Sequence, residues 1–200
     1  MIVVKLGGSL YNTPELKLWL KTLTVQAKSR PIIIVPGGGP FADQVRHAQE
    51  THQFSDSHAH HMALLAMSQF GLLLSSLIPN CQVLNFPEDP ITTFEGLSVW
   101  LPNQQLLTKT ALKHSWDISS DSLALWLANE LHAEQLILIK QVDLPSNLSI
   151  SKLREQGILD RGFPQLYAQI PVPSQIIYVQ NYQQFSAQLD HNSLSRLQLQ

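Results

Sequence analysis

A chain of 200 residues that is 44% hydrophobic, with a formal net charge of −2, is long enough to bury one sizeable core and too apolar to be a disordered segment. Charged residues make up only 14% and form no basic block, which argues against a nucleic-acid partner, because binding a phosphate backbone needs a clustered positive surface. Cys81 is the single cysteine, so no intramolecular disulfide forms; no signal-peptide pattern opens the chain, and its longest apolar stretch, residues 72–78, is too short and too Ser-broken for a bilayer. The expectation is a soluble, cytoplasmic protein with no membrane partner.

Strand-like and helix-like segments alternate along the chain. Residues 2–6 are a short β-branched run that stops at Gly7-Gly8. Pro14 opens a helical pattern in which Leu16, Trp19, Leu20, Leu23 and Ala27 share one face, and Pro31 ends it. Residues 32–35 are four apolar positions in a row, as in a strand buried on both faces. Gly37-Gly38-Gly39 follows, with Pro40 suited to the first turn of the next helix. Two helices fill residues 40–76, broken near 54–57. Further strands are expected at 82–86 and 98–101, on either side of a Pro-rich turn at 87–90. A helix over 120–132 carries Leu123, Trp126, Leu127 and Leu131 at helical spacing behind a Ser cap. Strands at 136–139 and 175–179, a closing helix at 182–189 and a polar, frayed tail complete the pattern. Strands joined by crossover helices predict a three-layer αβα sandwich on a largely parallel sheet, folded as one domain over 1–200.

Two strand–glycine–helix junctions carry the first chemical signal: Lys5-Leu6-Gly7-Gly8-Ser9 and Val35-Pro36-Gly37-Gly38-Gly39-Pro40. Without side chains, such loops let phosphate oxygens reach consecutive backbone amides, and a helix beginning just beyond adds partial positive charge. Either loop alone could equally be a plain turn. Neither fits the P-loop pattern, and the dinucleotide-binding Gly-x-Gly-x-x-Gly spacing is missing.

Taken in order, the KLGGS loop, the PGGGP loop and Ser119-Ser120-Asp121-Ser122-Leu123-Ala124 opening a later helix resemble the amino-acid kinase superfamily. So does the run 133–143 that ends in Val142-Asp143. The resemblance covers residues 2–143. It implies a phosphotransferase using ATP with Mg2+, no protein metal site, and a homo-oligomer. It also implies roles: Lys5 bridges the donor phosphates, while Gly7, Gly8 and Ser9 hold them. Gly37, Gly38 and Gly39 face the acceptor and the transferring group, and Asp121 orients the catalytic lysine. Phosphoryl transfer leaves little covalent work to protein groups, so positioning and charge stabilisation carry it. Lys5 could otherwise be a strand-end lysine in solvent, and Asp121 a first-turn carboxylate complementing the helix dipole. The acceptor side is expected over residues 1–115 and the nucleotide side over 116–200.

Within the superfamily, the 116–124 run, the 62–67 helix segment and Asp160-Arg161-Gly162-Phe163-Pro164 resemble a group of short members. These are the kinases of (5-(aminomethyl)furan-3-yl)methyl phosphate in methanofuran biosynthesis. That resemblance implies an acceptor which is itself a phosphate monoester, already ionised and in need of no general base. Its ammonium group calls for a carboxylate, which is either Asp117 or, if Asp117 is only a loop carboxylate near a helix start, another residue; Trp116 reads first as a packing residue and otherwise as a face for ring or cation. Asp56 either caps its helix or belongs to the acceptor side. His52, His58, His60 and His61 read as a solvated helix end or an acceptor-facing polar patch rather than a metal site. The best candidate for a second lysine on the transferring phosphoryl group is Lys140, with Lys152 as runner-up, although Lys140 is not in the uridylate kinase register and either could equally be an ordinary surface lysine. A different acceptor, such as an amino acid or another phosphate monoester, or a non-catalytic nucleotide- or metal-binding subunit, remains open on the same fold.

Overall fold

The computed structural model of the chain describes residues 1–87, 95–109, 112–144, 149–170 and 172–185. Six strands, β1 (Ile2–Leu6), β2 (Ile32–Pro36), β3 (Gln82–Leu84), β4 (Leu97–Trp100), β5 (Gln135–Lys140) and β6 (Ser174–Tyr178), form one sheet in the order β3-β4-β2-β1-β5-β6. Every pairing is parallel, with Lys5 opposite Val35 on one side and Leu138 on the other. The helices are α1 (Glu15–Gln26), α2 (Gly39–His52), α3 (Asp56–Ser76), α4 (Leu106–Lys109), α5 (Ser120–Glu130), α6 (Ile150–Glu155) and α7 (Phe163–Gln169).

Alternation along the strands divides the core in two. Val3, Ile33, Val35, Leu136 and Leu138 pack with Leu123 and Leu127 of α5, Leu153 of α6 and Phe163 of α7. On the other face, Val4, Leu6, Ile34, Ile137 and Ile139 pack with Trp19 and Leu23 of α1 and with Phe70 and Leu74 of α3. The Trp19 indole is also tied down, donating to the carbonyl of Val179 at 2.7 Å. Both faces of the central strands are covered, which is why their sequences are continuous apolar runs. Each fully buried aliphatic side chain there contributes about 1.5–3 kcal/mol. The result is the expected αβα sandwich.

Strand and helix positions agree with the sequence pattern to within one or two residues over most of the chain. The end differs: residues Val179–Gln184 form a 3-10 turn where the sequence pattern places the start of a helix. The rest of that expected helix, the tail, and residues 88–90 of the Pro-rich turn lie outside the described residues. Helices α4, α6 and α7, of four, six and seven residues, have no counterpart in the sequence pattern because each is too short to show a helical period.

The strand order locates the site. From β1 the chain moves to β2 on one side, and it later crosses to β5 on the other side of β1. Ligands of open parallel sheets bind outside the carboxyl ends of the strands at such a switch point. Here the carboxyl ends of β1 and β5 carry Lys5 and Lys140.

Candidate active site

Lys5 has the same strand parity as Val3, and Lys140 the same as Leu136 and Leu138, so both ammonium groups emerge on the face covered by α5. The second residue of α5 is Asp121, 3% exposed. Lys5 Nζ lies 2.9 Å from Asp121 Oδ1, and Lys140 Nζ lies 2.7 Å from Oδ2. One buried carboxylate thus holds two ammonium groups at the switch point. Burial alone would raise the Asp121 pKa, but Lys5 and Lys140 overcome it and hold the acid at about 2. The Lys140 ammonium is pushed down to about 8, first by burial and then by Lys5, against the opposing pull of Asp121. The cluster keeps one positive charge in excess, placed for an anion.

The two glycine loops meet backbone to backbone. A Cβ on Gly8 would lie 2.1 Å from the amide nitrogen of Gly39, and one on Gly37 would lie 2.2 Å from that of Gly8. Gly39 also has φ +54, a conformation side chains disfavour. A Cβ on Gly7 would come 3.5 Å from Lys5 Nζ, which places this loop against the cluster. Helix α2 starts at Gly39 with no side-chain cap; Pro40 carries no N–H and Ala42 N donates to the Gly38 carbonyl at 3.3 Å, so an anion there would meet the amides of Gly39 and Phe41.

Beside these loops is a cavity of about 470 Å³, lined by Gly8, Ser9, Gly38, Gly39, Ser119 and Ser120. Helices α2 and α3 supply the far wall, including Asp43, Arg46, His60, Leu64 and Met67. Arg46 pairs with Asp43 at 2.6 Å, and its guanidinium carbon lies 4.7 Å from the centroid of the Trp116 ring. The Trp116 indole in turn donates to Gln49 Oε1 at 2.7 Å. His60 is the one member of the histidine run turned inward, 6% exposed and stacked on His114 with centroids 5.5 Å apart. Burial lowers its pKa, and His114 adds to the effect.

Asp56 and Asp117 lie off this cavity. Asp56 sits on an adjoining hollow and accepts from Gln49 Nε2 at 2.9 Å, while Ser55, not Asp56, caps α3. The Asp117 carboxylate turns to another hollow on the far side of Trp116, between Lys113 at 3.5 Å and Arg161 at 3.7 Å. Two surface cations claim it, and the carboxylate that lines the glycine-loop cavity is Asp43. Nothing in the local pattern of Asp43 or Arg46 distinguishes them from an exposed i,i+3 pair on a helix; the packing of Trp116 over α2 is what marks them.

Asp160 is a third residue to which the sequence assigns no role. Its Oδ2 accepts from Ser119 N at 2.9 Å, Ser119 Oγ at 2.8 Å and Ser122 N at 3.0 Å. Its Oδ1 accepts from Ser122 Oγ and from Phe163 N at 2.9 Å. Two residues earlier, the carbonyl of Ile158 accepts from Lys140 Nζ.

Among the described residues, no group of three or more His, Cys, Asp or Glu side chains is placed to hold a metal ion. The carboxylate at the switch point is committed to two ammonium groups. No helix among the described residues is long and apolar enough to cross a membrane.

Comparison with known proteins agrees with this fold. A relative in Methanocaldococcus jannaschii, [5-(aminomethyl)furan-3-yl]methyl phosphate kinase, is 30% identical over 191 residues, covering 88% of this chain and 87% of its own. The crystal structure of uridylate kinase from Archaeoglobus fulgidus is similar with a TM-score of 0.68, over 98% of this chain and 97% of that one, at 15% identity. Aspartate kinase from Synechocystis gives 0.67 over 100% of this chain and 40% of its own, at 12% identity. These structures share the fold. The model of the amino acid kinase family matches residues 1–144. The chain therefore belongs to the amino acid kinase family, and the enzyme class that goes with that membership is the small-molecule kinase.

Proposed function

We propose that the protein transfers the γ-phosphoryl group of ATP to (5-(aminomethyl)furan-3-yl)methyl phosphate, releasing ADP and the diphosphate. The observation that carries the reading is the Lys5–Asp121–Lys140 cluster beside a cavity walled by two glycine loops. The relative named for that acceptor supports the choice of substrate.

A phosphate oxygen of the acceptor forms a bond to the γ-phosphorus as the bond from that phosphorus to the bridging oxygen of ADP breaks. The acceptor phosphate is ionised at neutral pH, so no side chain has to remove a proton. The amides of Gly7 and Gly8 and the Ser9 hydroxyl hold the donor phosphates, and Lys5 and Lys140 neutralise charge on the transferring group. Gly37 keeps the loops in contact, while Gly38, Gly39 and the open start of α2 receive the acceptor phosphate. Arg46, held over Trp116, adds a guanidinium for that phosphate, and Asp43 takes the ammonium group. Magnesium carried by the donor would supply further charge neutralisation on its phosphates beside Ser9 and Lys5.

The chain works as one unit, with 1–115 mainly on the acceptor side and 116–200 on the nucleotide side; residues 116–123 serve both. Exposed Met62, Leu65 and Leu72 form a stripe on α3 suited to a second copy, in a homo-oligomer of the cytoplasm. A second reading keeps the mechanism and changes the acceptor, favoured by the Asp43–Arg46 pair, which would equally suit the ammonium and carboxylate of an amino acid.

The test is transfer from γ-labelled ATP with magnesium to the aminomethylfuran phosphate, set beside amino acids and other phosphate monoesters. Labelled diphosphate, lost in Lys5→Ala, supports the reading. Transfer only to another acceptor moves the protein to the second reading, and nucleotide binding without transfer to any acceptor sinks both.

A further inference from the structure

Helix α5 begins without help from its own cap. Ser119 occupies the N-cap position, yet its side chain caps nothing within the helix and donates to Asp160 instead. The Asp160 carboxylate meets two amides and two hydroxyls of residues 119–122, from a point about 40 residues along the chain, and caps the start of α7 through Phe163 N. Around it, Gly162 N donates to the carbonyl of Asp117 at 2.8 Å. A Cβ on Gly162 would lie 2.3 Å from Ile118 Cδ1, so the loop seats closely against the start of α5.

The two partners of Lys140 are Asp121, one residue from the first capped position of α5, and the Ile158 carbonyl, two residues before Asp160. A carboxylate that clamps α5 to residues 157–163 therefore fixes both. We infer that Asp160 is a positioning residue for phosphoryl transfer, holding the Asp121 carboxylate and the Lys140 ammonium in the geometry the donor meets. This rests on the kinase reading above. Asp160 touches neither donor nor acceptor; it acts through α5 and the Ile158 carbonyl. The charged groups that bear on Lys140 are Lys5 from β1, Asp121 from α5 and Asp160 from the clamp, and the last favours its ammonium form.

The Asp160→Asn variant keeps the shape and removes the charge. The expected result is a fall in kcat on the order of 10–100-fold, the scale set by slight misplacement of a catalytic group, with the acceptor KM unchanged. The alkaline limb of kcat/KM should move to lower pH. So should the Lys140 titration, followed by NMR of 13C-lysine-labelled protein and assigned with Lys140→Arg. If the melting temperature drops while the Lys140 titration stays in place, Asp160 is only a helix cap and the inference is overturned. Full kcat despite a moved titration overturns it too. Should Asp160→Asn not fold, Ser122→Ala removes one hydrogen bond from the same carboxylate and must move both readouts in the same direction by less; unmoved readouts overturn the inference. If the wild type phosphorylates nothing, the kinase reading fails, and the titration alone still reports whether Asp160 holds Lys140.

Discussion

Lys140 and Asp121 approach to 2.7 Å at the place where the central sheet ends and α5 begins, although the lysine closes a strand and the aspartate opens a helix 19 residues before it. Asp121 is buried and Lys140 largely so, and each has its charge state set mainly by burial and by the other members of the cluster.

The first consequence concerns pH. The Lys140 ammonium is present below about 8 and lost as pH rises through that value. If it neutralises the transferring group, kcat/KM falls above pH 8, and the limb disappears in Lys140→Arg, whose guanidinium stays charged. Donor phosphates favour the charged lysine, so the corresponding limb of kcat should lie at higher pH. A pH–rate profile flat to about pH 10, where an ordinary lysine titrates, would remove Lys140 from the chemistry.

Asp121→Asn leaves two ammonium groups at the switch point with no carboxylate paired to them, Asp160 being the one acidic group that still bears on Lys140. Breaking a buried pair in this way costs about 3–5 kcal/mol, and kcat should fall by at least about 100-fold. Urea unfolding and steady-state kinetics read the two effects. In the wild type the Asp121 contribution is present above its unfolded value of 3.8 and is lost as pH falls toward about 2. Acid unfolding of Asp121→Asn should be correspondingly less steep in that window.

Gly8→Ala forces a methyl group to within 2.1 Å of the Gly39 amide, and there is no flexible side chain to move aside. The loops must separate, with a loss of about 1–3 kcal/mol and of most activity. Gly96→Ala is the control: its φ is +67 but its surroundings are open, so a loss of about 1 kcal/mol with normal kcat is expected.

Acceptor recognition separates Arg46 from Asp117. Arg46→Ala should raise the acceptor KM by about 10–100-fold with the ATP KM unchanged, as expected for loss of a charge-assisted contact to phosphate. Asp117→Asn should leave the acceptor KM within about twofold, because exposed ion pairs to Lys113 and Arg161 are worth little. The reverse pattern would return the ammonium site to Asp117.

The sheet is legible in the sequence because its strands are buried on both faces, and an unbroken apolar run as short as residues 32–35, ended by glycines, suits little else than a central strand. Lys5 and Asp121 are legible through their neighbours, a glycine turn and a Ser-led helix. For Lys140 the sequence offers only a strand end; strand parity is what puts it on the face of Lys5. Helices α6 and α7 carry too few turns to show a period, and what holds them is packing against each other and, for α7, against α5. Asp160 belongs to the 160–164 motif, but its partners lie 38 and 41 residues away, and no local spacing announces a carboxylate that caps a distant helix. Asp117 is close to Asp121 in sequence, which points to the acceptor, yet its half-buried carboxylate lines a different hollow, beside Lys113 and Arg161.

The contact between Gly8, Gly37 and Gly39 has no side chain in it. On the proposed reading, the span from donor to acceptor phosphate is set by the thickness of two peptide backbones, a length that substitutions in the cavity's far wall leave unchanged. The far wall of the cavity, by contrast, is made of side chains on α2 and α3. Acceptor preference can therefore drift through residues such as Asp43, Arg46, His60 and Met67 while the distance over which the phosphoryl group travels stays constant. One framework could serve acceptors of very different chemistry, provided each presents its nucleophilic oxygen at the same glycine seam.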